Sequence, residues 1–186
     1  MRKFLFAVAG MVPFLLVLLA NTGSGSTDRF KWLPDLNDNE TFYAAKLSAA
    51  EQKRIIEQVE STSFDTADSW QAELRVRRIS LGQCNGLIVR GTKLLCGGTG
   101  NCETWVFRLA EGNWSNMFEE EAPTVSGFGF DQESTLGITN FVASANSSSA
   151  MEARTLYKFD GKVYRKSECY NVQSDHRETV KIVPRS

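Results

Sequence analysis

Hydrophobic and polar positions follow three different rhythms along the chain. From Phe4 to Ala20 every residue is uncharged, with the strongest apolar run at Phe14, Leu15, Leu16, Val17, Leu18 and Leu19. Between Ser48 and Ser61 apolar residues recur at helical spacing: Ile55, Ile56 and Val59 share one face, while Lys53, Arg54, Glu57 and Glu60 fall largely on the other. From Ala72 the period drops to two. Ala72, Leu74 and Val76 point one way and Glu73, Arg75 and Arg77 the other, as in a half-exposed strand.

The first rhythm, preceded by Arg2 and Lys3, has the layout of an export leader. Small and polar residues follow at Asn21 to Thr27, which places cleavage after Ala20, or after Ser24 as the fallback. The competing reading keeps the segment as an anchor, since ~17 apolar residues lie at the lower limit for a bilayer span. In both cases the basic end stays inside and the rest of the chain faces out. Domain limits follow: 1–20 leader, 21–45 linker, 46–173 a single α+β domain and 174–186 a polar tail.

The second rhythm predicts one amphipathic helix over Lys46 to Ser61. Ser48 at its N-cap and Glu51 three places on form a capping box, in which each side chain satisfies a free amide of the first turn. The third predicts short strands over Leu87 to Val89, Lys93 to Leu95, Thr104 to Leu109, Gly127 to Phe130, Thr139 to Ala143, Arg154 to Phe159 and Lys162 to Arg165. Turns are expected at Arg90-Gly91, at Glu111-Gly112-Asn113 and at Asp160-Gly161, the last a type I′ signature. The fold class is α+β: a β-dominant antiparallel sheet with one N-terminal amphipathic helix.

An internal echo suggests two repeated hairpin units. The stretch Phe107 to Trp114 is matched by Tyr157 to Tyr164, and Leu81-Gly82 before Leu87-Ile88-Val89 is matched by Leu136-Gly137 before Phe141-Val142-Ala143, about fifty residues later. Two such units could form the halves of one structure, because a lone hairpin cannot bury its apolar face.

Composition narrows the functional classes. The formal charge is −1, and loss of Arg2 and Lys3 with the leader makes the chain more acidic still, against a nucleic-acid surface. Arg75, Arg77 and Arg78 are read as a solvated face, since Glu73 lies among them and no phosphate loop is nearby. The spacing of Cys84, Cys96, Cys102 and Cys169 does not suit zinc, and in an oxidising compartment an even number of cysteines points to disulfides. Three glycines between Cys96 and Cys102 favour a bridge across that loop, worth roughly 2.4 kcal/mol, and leave Cys84 to Cys169, worth roughly 4.6 kcal/mol on the same chain-entropy model.

Catalytic chemistry is harder to assemble. His176, the one histidine, stands in a polar tail beside Asp175 and Arg177, and the acidic run Glu119-Glu120-Glu121 places neighbouring carboxylates on opposite faces. No cofactor or metal is implied. The alternative to a binding module is a hydrolase whose carboxylates the sequence does not single out.

Leu95-Cys96-Gly97 to Phe107, Gly127-Phe128-Gly129-Phe130, and Leu156 to Val163 with Tyr164, Cys169 and Tyr170 carry a resemblance to a group of small secreted bacterial proteins of unknown function. It implies a periplasmic or secreted setting. More loosely, the chain resembles periplasmic lysozyme inhibitors that present a short disulfide-closed loop, with Thr99 and Asn101 where those loops carry a histidine at the tip. The sequence-level expectation is therefore a non-catalytic module, with Thr99 and Asn101 contacting an envelope or extracellular protein or glycan, and with no nucleic acid and no membrane insertion once the leader is cut.

Overall fold

The computed structural model describes residues 29–62, 70–119, 121–173 and 178–182. The leader, His176, Glu120 and much of the loop after the helix lie outside the described residues.

Along the chain the elements are β1 (Phe30–Trp32), α1 (Ala49–Glu60), β2 (Leu74–Ser80), β3 (Asn85–Gly91), β4 (Cys102–Ala110), β5 (Asn113–Asn116), β6 (Thr124–Val125), β7 (Gly127–Thr135), β8 (Ile138–Ser148), β9 (Met151–Phe159), β10 (Tyr164–Gln173) and β11 (Glu178–Ile182). They form two antiparallel sheets. One runs β2-β3-β4-β5, with β6 against the start of β4, and the other runs β1-β7-β8-β9-β10-β11.

The expected echo is realised as two four-stranded meanders, β2 to β5 and β7 to β10. Their equivalent first turns meet: Gly82 bridges to Ile138, Gln83 donates to the Gly137 carbonyl at 3.2 Å, and Thr139 donates to the Leu81 carbonyl at 3.3 Å. Both turn glycines take left-handed φ angles, +80° at Gly82 and +78° at Gly137.

Alternation along the strands sorts the core into layers. Ile55 and Val59 of α1 are fully buried against Leu74, Val76, Leu87, Val89, Trp105, Phe107 and Trp114 on one face of the first sheet. Burial of each such side chain stabilises the fold by about 1.5–3 kcal/mol. The opposite face of that sheet brings Ile88 and Val106 onto Phe128, Phe130, Phe141, Tyr157, Phe159 and Tyr164 of the second. A smaller cluster of Phe30, Val142, Leu156 and Tyr170 occupies the outer face of the second sheet. The aromatic crowding near Trp105, Trp114, Phe118, Phe128 and Phe130 is thus core.

The helix begins at Ala49, with Ser48 as its N-cap and the capping box complete. Its Gln58 also closes the free edge of β5: the side-chain amide donates to the Trp114 carbonyl at 3.0 Å and accepts from the Asn116 amide at 2.9 Å.

Several expectations are corrected. Lys93–Leu95 is a turn of 3-10 helix, not a strand. Arg90-Gly91 is not a turn: it ends β3, with Arg90 only 3% exposed between the sheets, where its guanidinium meets Asp35, Thr104 and the Val125 carbonyl. At Asp160-Gly161 the glycine alone takes a positive φ and Phe159 pairs with Tyr164 across a four-residue loop, so the expected type I′ turn, which needs positive φ at both central residues, is not formed. The supposed linker contributes β1 and then a strap over 33–47, and the supposed tail contributes β11, paired with β10.

The strap explains the arginine run. Arg75 bonds Asp38 at 2.8 Å, Arg77 pairs with Glu40 and reaches the carbonyls of Pro34 and Asp35, and Arg78 donates to the Ala45 carbonyl at 2.6 Å. Arg75 and Arg77 are thus half-buried clamps on the strap and not a solvated face, while Arg78 stays exposed as it holds the Ala45 carbonyl.

Candidate functional site

The Cys96–Cys102 disulfide forms as expected. Its loop is a tight turn in which the Gly100 amide donates to the Gly97 carbonyl at 2.9 Å and the Gly97 amide to the Asn101 carbonyl at 2.8 Å. Gly100 adopts φ +76°, the conformation that closes such a turn and that side chains rarely tolerate. Gly97, Gly98, Thr99 and Gly100 are all exposed.

The two residues assigned to the tip have different roles. Thr99 is exposed. Asn101 is half-buried, and its amide is spent on β8: Oδ1 accepts the Asn146 N–H at 2.9 Å, and Nδ2 donates to the Asn146 carbonyl at 3.1 Å. Asn146 returns a bond from its own side chain to the Thr99 carbonyl at 3.2 Å. Asn101 therefore anchors the tip to the β8–β9 hairpin, a role its polarity in the sequence did not distinguish from contact with a partner.

The outer cysteine pair is not formed. Cys84, in the turn between β2 and β3, and Cys169, in β10, are both free thiols. Cys84 packs against the cluster between the sheets, where burial pushes its thiol up while Arg108 partly offsets the effect. Cys169 instead sits beside Thr155 across the β9–β10 ladder. The two positions belong to different sheets, and the large loop-closure gain estimated from the sequence has no bridge to realise it.

Several carboxylates are matched to cations or backbone amides. Asp131, with its side chain wholly buried, takes both Nε and Nη2 of Arg29, and the same guanidinium reaches Glu168 at 3.3 Å. Burial acts to raise the Glu168 carboxyl, but hydrogen bonds from Tyr170 and Lys158, with the charge of Arg29, bring it net below the usual range. Lys162 and Arg165 hold the Glu119 carboxyl down in the same direction. Asp160 is held at about 2, chiefly by the Val163 and Lys162 amides. A general acid needs the opposite shift.

Among the described residues no group of three or more histidine, cysteine, aspartate or glutamate side chains is placed to hold a metal ion. An open groove along α1 is bordered by Ala49, Gln52, Lys53, Ile56, Glu57, Glu60 and Gln71, with Lys53 paired to Glu57 one helical turn on. The feature that combines exposure with imposed rigidity is the crosslinked tip, together with the hairpin end on which it rests. No protein-family model matches the chain, and no curated protein or solved structure matches it.

Proposed function

We propose that the chain is an exported, non-catalytic binding module that presents the Cys96–Cys102 tip to a protein or glycan of the envelope or medium. The observation that carries this reading is the double restraint on the tip. A disulfide closes the loop, and three hydrogen bonds between the loop and Asn146 fix its direction, while Thr99 and the glycines beside it remain in solvent. A surface ordered before contact loses little conformational entropy on association and so keeps more of its contact energy.

The matched carboxylates support the non-catalytic part. A bridge that persists fits an oxidising compartment, and among the described residues no helix is long and apolar enough to cross a membrane. The secreted bacterial proteins that the chain resembles share this setting.

Gly98 supplies the test, because a Cβ built there meets no heavy atom within 4 Å. Gly98→Arg should leave the melting temperature within about 2 °C of wild type, as exposed substitutions cost within ~0.5 kcal/mol. It should also weaken capture of the partner from envelope or culture-medium fractions at least tenfold. Undiminished capture, or turnover of a glycan or peptide that vanishes when one carboxylate is removed, would reject the proposal.

A further inference from the structure

All four tryptophans of the chain fall within the described residues, and they are not alike. Trp70, Trp105 and Trp114 are 4%, 0% and 3% exposed, whereas Trp32 is 37% exposed on the short strand β1. The sheet surface under Trp32 is shaped to receive it. A Cβ on Gly129 would lie 2.5 Å from the Lys31 carbonyl oxygen and 2.9 Å from the Trp32 Cα, so only glycine lets β1 approach so closely.

The indole is then held from two sides. Phe30 meets it edge to face at 6.1 Å, and Phe30 rests in turn on Tyr170 at 5.8 Å. The Arg154 guanidinium covers one ring face at 5.1 Å from the centroid, and Glu152 bonds Arg154 at 2.8 Å. One face of a fixed aromatic ring is thus occupied, and the exposed surface belongs to the other face and the edges.

We infer that this outer face of the second sheet, around Trp32, is a docking platform for a neutral saccharide chain. A pyranose ring offers an apolar C–H face to stack on an indole and a rim of hydroxyls that both donate and accept. Trp32 supplies the flat apolar surface, and Glu152 and Arg154, ion-paired at 2.8 Å, flank it with polar groups of opposite charge. An anionic or cationic ligand would have to compete with that pair, while a hydroxylated neutral one need only bridge it. A protein partner would call for a broader apolar centre; the exposed Tyr43, Leu94 and Leu136 stand on other elements, and Met151, beside Glu152 on β9, alternates to the opposite face of the sheet.

The platform is continuous with the crosslinked tip. Glu152 lies opposite Asn146 in the β8–β9 ladder, and Asn146 carries the bonds to Thr99 and Asn101. The inference therefore rests on the binding-module reading and commits it to a glycan, with Trp32 as the stacking residue.

The exported protein, titrated with soluble neutral glucan and N-acetylglucosamine oligomers, reports directly through its own fluorescence, because Trp32 is the one exposed indole. A saturable change in emission is expected. Trp32→Ala should weaken binding by calorimetry at least tenfold, and Trp32→Phe, which keeps a ring beside Arg154, should abolish the emission change while retaining much of the affinity and the melting temperature. Saccharide binding lost in Gly98→Arg but intact in Trp32→Ala would overturn the platform and leave the tip standing. Capture of a protein partner with no response to any oligomer would likewise remove the saccharide assignment alone. Failure to retain either kind of ligand would remove both readings.

Discussion

Glu51 joins the helix to the sheet beneath it, and its removal should be felt in both. One carboxylate oxygen accepts the Ser48 amide at 2.8 Å and the Ser48 hydroxyl at 2.7 Å, completing the capping box; the other accepts the Trp114 indole N–H at 2.9 Å. Trp114 is 3% exposed, so in Glu51→Ala its N–H loses its partner inside the structure. Loss of a cap costs about 1 kcal/mol, and a buried donor left unsatisfied costs about 1–3 kcal/mol more. The expected loss is about 2–4 kcal/mol, read as a lower urea midpoint at unchanged slope. Trp114→Phe removes the donor while keeping a ring, so Glu51→Ala introduced into that background should cost only the cap. The double-mutant cycle should then show a coupling of about 1–3 kcal/mol, the unsatisfied-donor part of the loss, and additivity within ~0.3 kcal/mol would refute the link. Acid provides a second check. The Ser48 amide, the Ser48 hydroxyl and the Trp114 indole, in that order, hold the Glu51 carboxyl at about 2, below its ordinary 4.5. Its contribution is full above the unfolded value and fades as pH falls from there towards the folded value. The stability difference between wild type and Glu51→Gln should shrink across that window and stay constant above it.

Other expectations are as direct. Expression with a C-terminal tag should yield an extracytoplasmic product whose new N-terminus lies between Asn21 and Gly25; a cytoplasmic product starting at Met1 would contradict it. Peptide mapping without reduction should recover Cys96 joined to Cys102 and should find Cys84 and Cys169 alkylated once the protein is unfolded, whereas a Cys84–Cys169 peptide would contradict the structure. Gly129→Ala should destabilise the fold by about 1–3 kcal/mol, because the added methyl meets the backbone of β1 and not a flexible side chain. An unchanged thermal midpoint would show that β1 is not seated there.

Features encoded locally were legible in the sequence. The capping box at Ser48 and Glu51 is complete within four residues, and the glycine-rich Cys96–Cys102 loop closes on itself. The doubled meander was legible as well, because its halves repeat the same order of turn and strand residues. What escaped depended on distant partners. Arg75, Arg77 and Arg78 looked solvated because their strap acceptors lie 32 to 43 residues upstream, in a segment without periodicity. Arg90 resembled a turn residue because nothing near it in sequence shows that Asp35 and the Val125 carbonyl receive its charge. Asn101 looked like a contact residue for the same reason, its partner Asn146 lying 45 positions on. Trp32 lies in the segment assigned to a linker, and the glycine that seats it is on β7, 97 positions on.

The seating of β1 also dictates an order of events during synthesis. Arg29 leaves the ribosome early, yet Asp131, Glu168 and Tyr170, which hold it, follow 102, 139 and 141 residues later. Until they arrive, β1 has no sheet to join and the strap behind it lacks a fixed starting point. The opening segment of the folded part is therefore among the last to be placed, at the loop-closure cost that long sequence separation imposes. A chain arrested before β7 would retain the first meander and leave its own beginning without a strand to pair with.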